Sequence, residues 1–171
     1  AKLTSLKLCE YISKMNNYFN YKTVIPCNMY GKFDRYDREQ SNLIAAIILK
    51  IHDAKMNDLP SVKIWGDGTA RREFLFAEDM AEAIWKALGN MEDLPAIMNI
   101  GVGKDQAVKS YYEIIAKIID WKGAFEYDLT KPVGTKRKSC CYLKQSSWGW
   151  QPKTSLSKGL ELTYDAYLKR F

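Results

Sequence analysis

Apolar residues recur along this chain at two periods that take turns. Leu3, Leu6, Cys9, Ile12 and Met15 keep the spacing of one helix face and predict a helix from about Leu3 to Asn17. Tyr21 to Pro26 reads as a strand ended by proline, with Cys27 to Gly31 as the loop that leaves it. After a charged, unpatterned stretch from Lys32 to Gln40, Ile44, Ile47, Ile48 and Ile51 restore the helical period, and Ser41 is the expected N-cap. Val62 to Trp65 and Arg71 to Phe76 flank a Gly-Asp-Gly turn whose glycines supply positive φ, so this unit predicts strand, tight loop and strand folded as a hairpin.

Met80, Ala83, Ile84, Ala87 and Leu88 then predict a helix with Glu78 and Asp79 in its first turn, where carboxylates suit the positive end of the dipole. Ala96 to Ile100 is a short buried strand entering Gly101-Val102-Gly103, which is weak evidence for a phosphate loop because a third glycine is missing. Ser110 and Glu113 have capping-box spacing ahead of Ile114, Ile115 and Ile118, and Leu160, Tyr164, Tyr167, Leu168 and Phe171 form the stripe of a last helix. Strand and helix patterns thus follow one another along the chain.

Composition narrows the chemistry. At 171 residues and 47% hydrophobic, the chain is long enough for a sizeable core. It has no long apolar run of spanning length and no charged-then-apolar leader, so a soluble, cytoplasmic protein with no membrane partner is expected. Cys9, Cys27, Cys140 and Cys141 form neither a C-x-x-C pair nor a cluster with the single histidine, His52, so reduced thiols and no metal site are expected. The net charge of +6 suits phosphate. Its one dense run, Lys131, Lys136, Arg137, Lys138 and Lys144, carries no nucleic-acid-binding signature, so a diphosphate ligand is preferred over nucleic acid. Arg71 and Arg72 read either as a surface pair beside a turn or as guanidinium forks for phosphate oxygens.

The run from Trp65 to Met80 resembles the W-G-x-G-x-x-x-R-E-F-x-x-x-D-D-M segment of the GDP-L-fucose synthase branch of the extended short-chain dehydrogenase/reductases. The resemblance extends nearly end to end. Pro26-Cys27-Asn28-Met29-Tyr30-Gly31 is similar to P-T-N-L-Y-G, Lys131 to Lys138 to K-P-D-G-T-x-R-K, and Gly149 to Leu156 to G-W-x-P-x-x-S-L. Lys2 matches the lysine of Tyr-x-x-x-Lys, whose tyrosine would lie upstream of Ala1. An ammonium one helical turn from a phenol lowers its pKa towards the working range for proton transfer.

The resemblance implies an α/β fold: the end of a Rossmann-type doubly wound parallel sheet interleaved with a small α+β substrate-binding domain. Residues 1–31 would close the NADP-binding domain, residues 32–171 would be mostly substrate domain, and 96–103 would return to the Rossmann sheet. It further implies NADP(H) as cofactor, held by Lys2, Pro26, Cys27, Asn28, Met29 and Asn42. A GDP-sugar would be held by Asn28, Lys50, Trp65, Arg72 and Lys138, and Lys2 would be catalytic in a homodimeric enzyme. Two departures stand out: Asn42 replaces the histidine of the bifunctional members, and Val133 replaces an aspartate. The expected activity is therefore C4 reduction of a GDP-4-keto-6-deoxy sugar, hexose or heptose, without epimerisation. The full epimerase/reductase reaction and a non-catalytic basic binding module stay open as alternatives.

Overall fold

Strands and helices do alternate through residues 1–170, the part described by the computed structural model. Phe171, assigned to the last apolar stripe, lies outside the described residues. Helix α1, Lys2–Met15, buries none of its residues, and Ala1 at its N-cap makes no side-chain cap bond. Strand β1, Thr23–Pro26, then pairs in parallel with β6, Ile97–Ile100. The Cys27 amide completes that ladder by donating to the Ile100 carbonyl at 2.8 Å. Contrary to the loop expected after Pro26, Asn28–Tyr30 forms a second short strand, β2, parallel to β5, Phe74–Phe76. Once the first ladder is complete, the chain is free to take a new partner.

The isoleucine stripe behaves as expected: Ile44, Ile47, Ile48 and Ile51 are completely buried on α2, Leu43–Met56. Ser41 is not its cap. Asn42 holds that position without a side-chain cap bond, while the Ser41 hydroxyl turns back to the preceding loop, 2.8 Å from the Arg35 carbonyl and 2.6 Å from the Asp37 amide.

The expected hairpin does not form. Strand β3, Ser61–Trp65, pairs in parallel with β8, Ala124–Asp128, and the stretch after the turn divides at Glu73. Its first part, β4, Arg71–Arg72, lies between β7, Gln106–Ala107, and β9, Arg137–Lys138; its second part is β5. Gly66 and Gly68 do adopt positive φ, 71° and 70°. The loop, however, is tied to a segment distant in sequence: the Lys109 amide donates to the Gly68 carbonyl and the Val108 amide to that of Ala70, which carries β4 away from β3.

Helix α3, Ala77–Gly89, buries Met80, Ala83 and Ala87, but Ile84 and Leu88 of its expected stripe are 43% and 65% exposed. Asp79 in its first turn is buried and accepts from the Thr154 amide and hydroxyl at 3.1 and 3.0 Å. Helix α4, Val108–Ile119, starts ahead of the Ser110–Glu113 box, with Ala107 at its N-cap, so that box does not cap it. The short α5, Leu143–Ser147, precedes α6, Leu156–Leu168, which Ser155 caps by accepting the Lys158 amide. Leu160, Tyr164 and Tyr167 of the last stripe are buried, whereas Leu168 is half exposed.

Strand β5 separates two cores. Phe74 and Phe76 face the isoleucines of α2 and the buried side of α4 and α6, while Leu75 faces Met80, Met98, Ile100 and Trp150. Alternation along a strand covered on both faces makes this possible. Among the described residues no helix is long and apolar enough to cross a membrane, and no group of His, Cys, Asp and Glu side chains is arranged to hold a metal.

Candidate functional site

The small sheet formed by β7, β4 and β9 sorts its cations by face. Arg71 lies opposite Arg137 and Arg72 opposite Lys138 in the parallel β4–β9 register. Both Arg71 and Arg137 bind the Asp105 carboxylate, the first through Nε at 2.7 Å, and that carboxylate is almost fully covered. Hydrogen bonds from Arg137 and then Arg71 hold the Asp105 carboxyl below the usual range. Successive strand residues point to opposite faces, so Arg72 and Lys138 share the other face, away from Asp105. The Arg72 guanidinium spends Nη1 on the carbonyls of Arg71 and Thr135, at 2.8 and 2.7 Å. Its fork of five donors retains others for a ligand, and the Thr135 bond fixes the basic loop of Lys131 to Lys138 beside it.

Arg72 opens onto a cleft of about 260 Å³ lined by Asn28, Met29, Asn42, Leu43, Arg72 and Phe74. The lining side chains come from several elements. Asn28 and Met29 come from β2 and Phe74 from β5, while Asn42 stands at the N-terminus of α2. The Asn28 amide nitrogen donates to the Glu73 carbonyl at 2.9 Å, which leaves its oxygen as the group offered to the cleft. Asn42 donates to Asp34 Oδ1 at 3.4 Å. The cleft lies where β2 and β5 begin, directly after β4 ends at Arg72.

Lys50 and Trp65 meet in a second cleft of about 400 Å³ between α2 and β3. The Lys50 ammonium sits 4.9 Å from the centre of the indole and Lys131 sits 5.5 Å from it, so a 61% exposed ring carries two cations. Burial lowers the Lys50 pKa. Val133 packs against Gly66 near the same ring. The structure thus brings Asn28, Met29, Asn42 and Arg72 together, sets Lys138 across from Arg72, and pairs Lys50 with Trp65. Lys2 is exposed at the start of α1 and lines neither cleft, nor do Pro26 and Cys27. Burial, then the Glu73 charge, pushes the Cys27 thiol up to about 12. His52 places Nδ1 3.0 Å from the Tyr164 hydroxyl and lines neither cleft.

Sequence reasoning passed over Glu73 and Asp105. Glu73 is completely buried, and its carboxylate occupies the amides of Val102 and Gly103, so the Gly101-Val102-Gly103 turn has an internal anion where a phosphate would bind. The available signal was a carboxylate set directly against the apolar run Phe74–Phe76.

Parallel strand pairs covered by helices define a Rossmann-type α/β protein. The chain belongs to the NAD dependent epimerase/dehydratase family, whose model matches residues 1–101. It is 51% identical over 168 residues to a GDP-L-fucose synthase of Azorhizobium caulinodans, covering 98% of this chain and 54% of that protein. A GDP-L-colitose synthase of Yersinia pseudotuberculosis is 46% identical over 168 residues, covering 98% of this chain and 54% of its own. Among solved structures, a GDP-6-OMe-4-keto-L-xylo-heptose reductase from C. jejuni superposes with a TM-score of 0.90 at 25% identity, covering 100% of this chain and 60% of that one. The chain spans about half the length of the curated relatives it matches.

Proposed function

We propose that this chain forms the substrate-binding part of an NADPH-dependent C4 reductase of a GDP-4-keto-6-deoxy sugar, and that this enzyme does not epimerise its substrate. One observation carries the reading: the side chains lining the cleft, Asn28, Met29, Asn42, Leu43, Arg72 and Phe74, include a cation for phosphate but no group that exchanges protons near neutral pH. Epimerisation beside a ketone needs one group to remove a proton and another to return it on the opposite face. Reduction at C4 asks less of the cleft. It needs the sugar held in place and the new alkoxide protonated.

In this reading Arg72 and Lys138 grip the diphosphate, while Trp65 and Lys50 border the nucleotide-sugar. Asn28 accepts a hydrogen bond from the ligand, and the Asn42 amide binds a hydroxyl without ionising. NADPH, when bound, supplies the hydride. Cys27, Asn28 and Met29 fit the nicotinamide because this edge presents one amide oxygen beside largely apolar surface, and the Cys27 thiol stays neutral there. Lys2, exposed on the first turn of α1, is assigned to the ribose hydroxyls and the proton relay. Nucleic acid and membrane are not partners in this scheme, and the enzyme is a cytoplasmic homodimer, which sedimentation checks.

The second reading, a bifunctional synthase, is favoured by the identity to proteins named GDP-L-fucose synthase and GDP-L-colitose synthase. Incubating the complete enzyme with NADPH and a GDP-4-keto-6-deoxy sugar in deuterated water separates the two. The reductase yields a 4-hydroxy product without deuterium at C3 or C5. Deuterium there, above the uncatalysed background, establishes the bifunctional reaction. GDP binding without turnover establishes a binding module.

A further inference from the structure

Glu73 stands at the break between β4 and β5, directly after Arg72, and its side chain is shut off from solvent. A carboxylate taken out of water needs donors that replace its hydration. Three backbone amides supply them. Oε1 accepts from Val102 at 2.6 Å and Gly103 at 2.9 Å, and Oε2 accepts from Cys140 at 2.7 Å. The Glu73 carbonyl meanwhile holds the Asn28 side chain. Gln145 steadies the same turn by exchanging two hydrogen bonds with the Gly101 backbone, at 2.7 and 2.9 Å. One residue therefore joins three segments: β2 at Asn28, the turn after β6, and the strand carrying Lys138, two positions before Cys140.

The pairing that sets Arg72 beside Lys138 is only Arg71–Arg72 against Arg137–Lys138. A parallel pair this short has little stability of its own, so its register must be held from outside. Asp105 holds one face by bridging Arg71 and Arg137. Beyond the end of the pair the hold comes from Glu73 on Cys140. We propose that Glu73 is a positioning residue: it fixes the Lys138 strand in register with Arg72, so that both cations address the same phosphate groups, and it presents the Asn28 oxygen to the sugar. The proposal rests on the reading of this cleft as a GDP-sugar site.

Glu73→Gln tests it at constant size. The amide oxygen can keep the Val102 and Gly103 bonds, but its NH2 then faces the Cys140 N–H, donor against donor. The Lys138 strand is released while the turn stays. In the complete enzyme, KM for the GDP-sugar and the calorimetric Kd for GDP and for inorganic pyrophosphate should rise by roughly tenfold or more, with NADPH affinity and kcat within about threefold. Gly101→Ala supplies a second route, because its new Cβ would press on Glu73 Oε1 and come 3.2 Å from Cδ. It should show the same selective loss, because the new Cβ also comes 3.3 Å from Cys140 Cβ, and the double variant should be little worse than either single one, since both displace the Cys140 segment from Glu73. If Glu73→Gln does not fold, Gly101→Ala carries the test.

A folded variant with unchanged pyrophosphate and GDP affinity overturns the proposal. So does a parallel loss of NADPH and phosphate binding, which marks a residue that only stabilises. Wild-type enzyme that binds pyrophosphate but not GDP refutes the GDP-sugar reading alone, and the Glu73 effect is then read on pyrophosphate. Wild-type enzyme that binds neither refutes both.

Discussion

Tyr111→Phe removes one oxygen and nothing else, and the structure says what that oxygen does. The Tyr111 ring is almost fully buried on α4, packed edge-on against Phe74 with 5.1 Å between centroids, and phenylalanine keeps that contact. The hydroxyl donates to the Arg72 carbonyl at 2.8 Å, anchoring β4 at the residue that faces the cleft. Burial pushes the Tyr111 pKa up, so the group stays a neutral donor throughout the physiological range. A neutral hydrogen bond contributes about 1 kcal/mol net, and a partly buried acceptor left without it adds more, so the loss should be about 1–2 kcal/mol. For a chain of this size that lowers Tm by roughly 2–8 °C. Urea unfolding monitored by circular dichroism measures it, with the midpoint falling and the slope unchanged. Tyr112→Phe is the control: its ring is also buried, but its hydroxyl makes no hydrogen bond among the described residues, so the same change should cost less than about 0.5 kcal/mol. If the two variants are equally stable, the Tyr111 hydroxyl does not anchor Arg72 and the argument fails.

Two titrating groups give further expected outcomes. Asp105 has a depressed pKa in the folded state, so its contribution is complete above the unfolded value near 4 and disappears as pH falls through the lower folded value. The stability gap between wild type and Asp105→Asn should therefore be full at pH 7 and close progressively below about pH 4; a gap independent of pH would refute the ion-pair account. Cys27, pushed up to about 12, should be the slowest thiol to react with iodoacetamide at pH 8, behind exposed Cys141, and mass spectrometry of partly alkylated protein should find it unmodified; early labelling of Cys27 would show the site to be open.

Local pattern carried much of the fold and little of its pairing. The α2 stripe was legible because four isoleucines on one face have a single way to leave water, and all four are buried. The strand before the Gly-Asp-Gly turn was legible too, but its partner was not. A turn with positive φ reports only that the chain bends, whereas β3 chooses β8 far along the chain and β4 is captured by the start of α4. Ser110 and Glu113 had the spacing of a cap, yet α4 begins earlier because Val108 already bonds back to Ala70. In the site, Arg72, Asn28 and Asn42 were named from family resemblance and do line one cleft. Glu73 and Asp105 escaped because their partners are backbone amides and arginines brought in from other segments, which no short window contains.

The division of cations across β4 and β9 gives the charge of the site a consequence that a count of lysines and arginines lacks. Arg71 and Arg137 share the covered carboxylate of Asp105, which offsets one of their two charges and ties up donors of both on the face away from Arg72. Among the described residues neither Arg72 nor Lys138 pairs with a carboxylate, and the backbone carbonyls that Arg72 binds leave its formal charge intact. A ligand diphosphate should therefore distinguish neighbours in sequence. On the proposed reading, Arg72→Ala in the complete enzyme should remove a charge-assisted hydrogen bond worth roughly 1.5–3 kcal/mol, which corresponds to a rise of about 10- to 150-fold in KM for the GDP-sugar. Arg71→Ala, one residue away, leaves Asp105 paired with Arg137 and should change KM by less than about threefold while lowering stability modestly. Salt separates them again, because only the Arg72 and Lys138 contacts exchange a screened charge for a bound phosphate, so raising ionic strength should weaken GDP binding in wild type more than in Arg72→Ala. Equal KM effects from the two arginine variants would mean that the faces are not electrically distinct, and the assignment of Arg72 and Lys138 to the diphosphate would fall with that result.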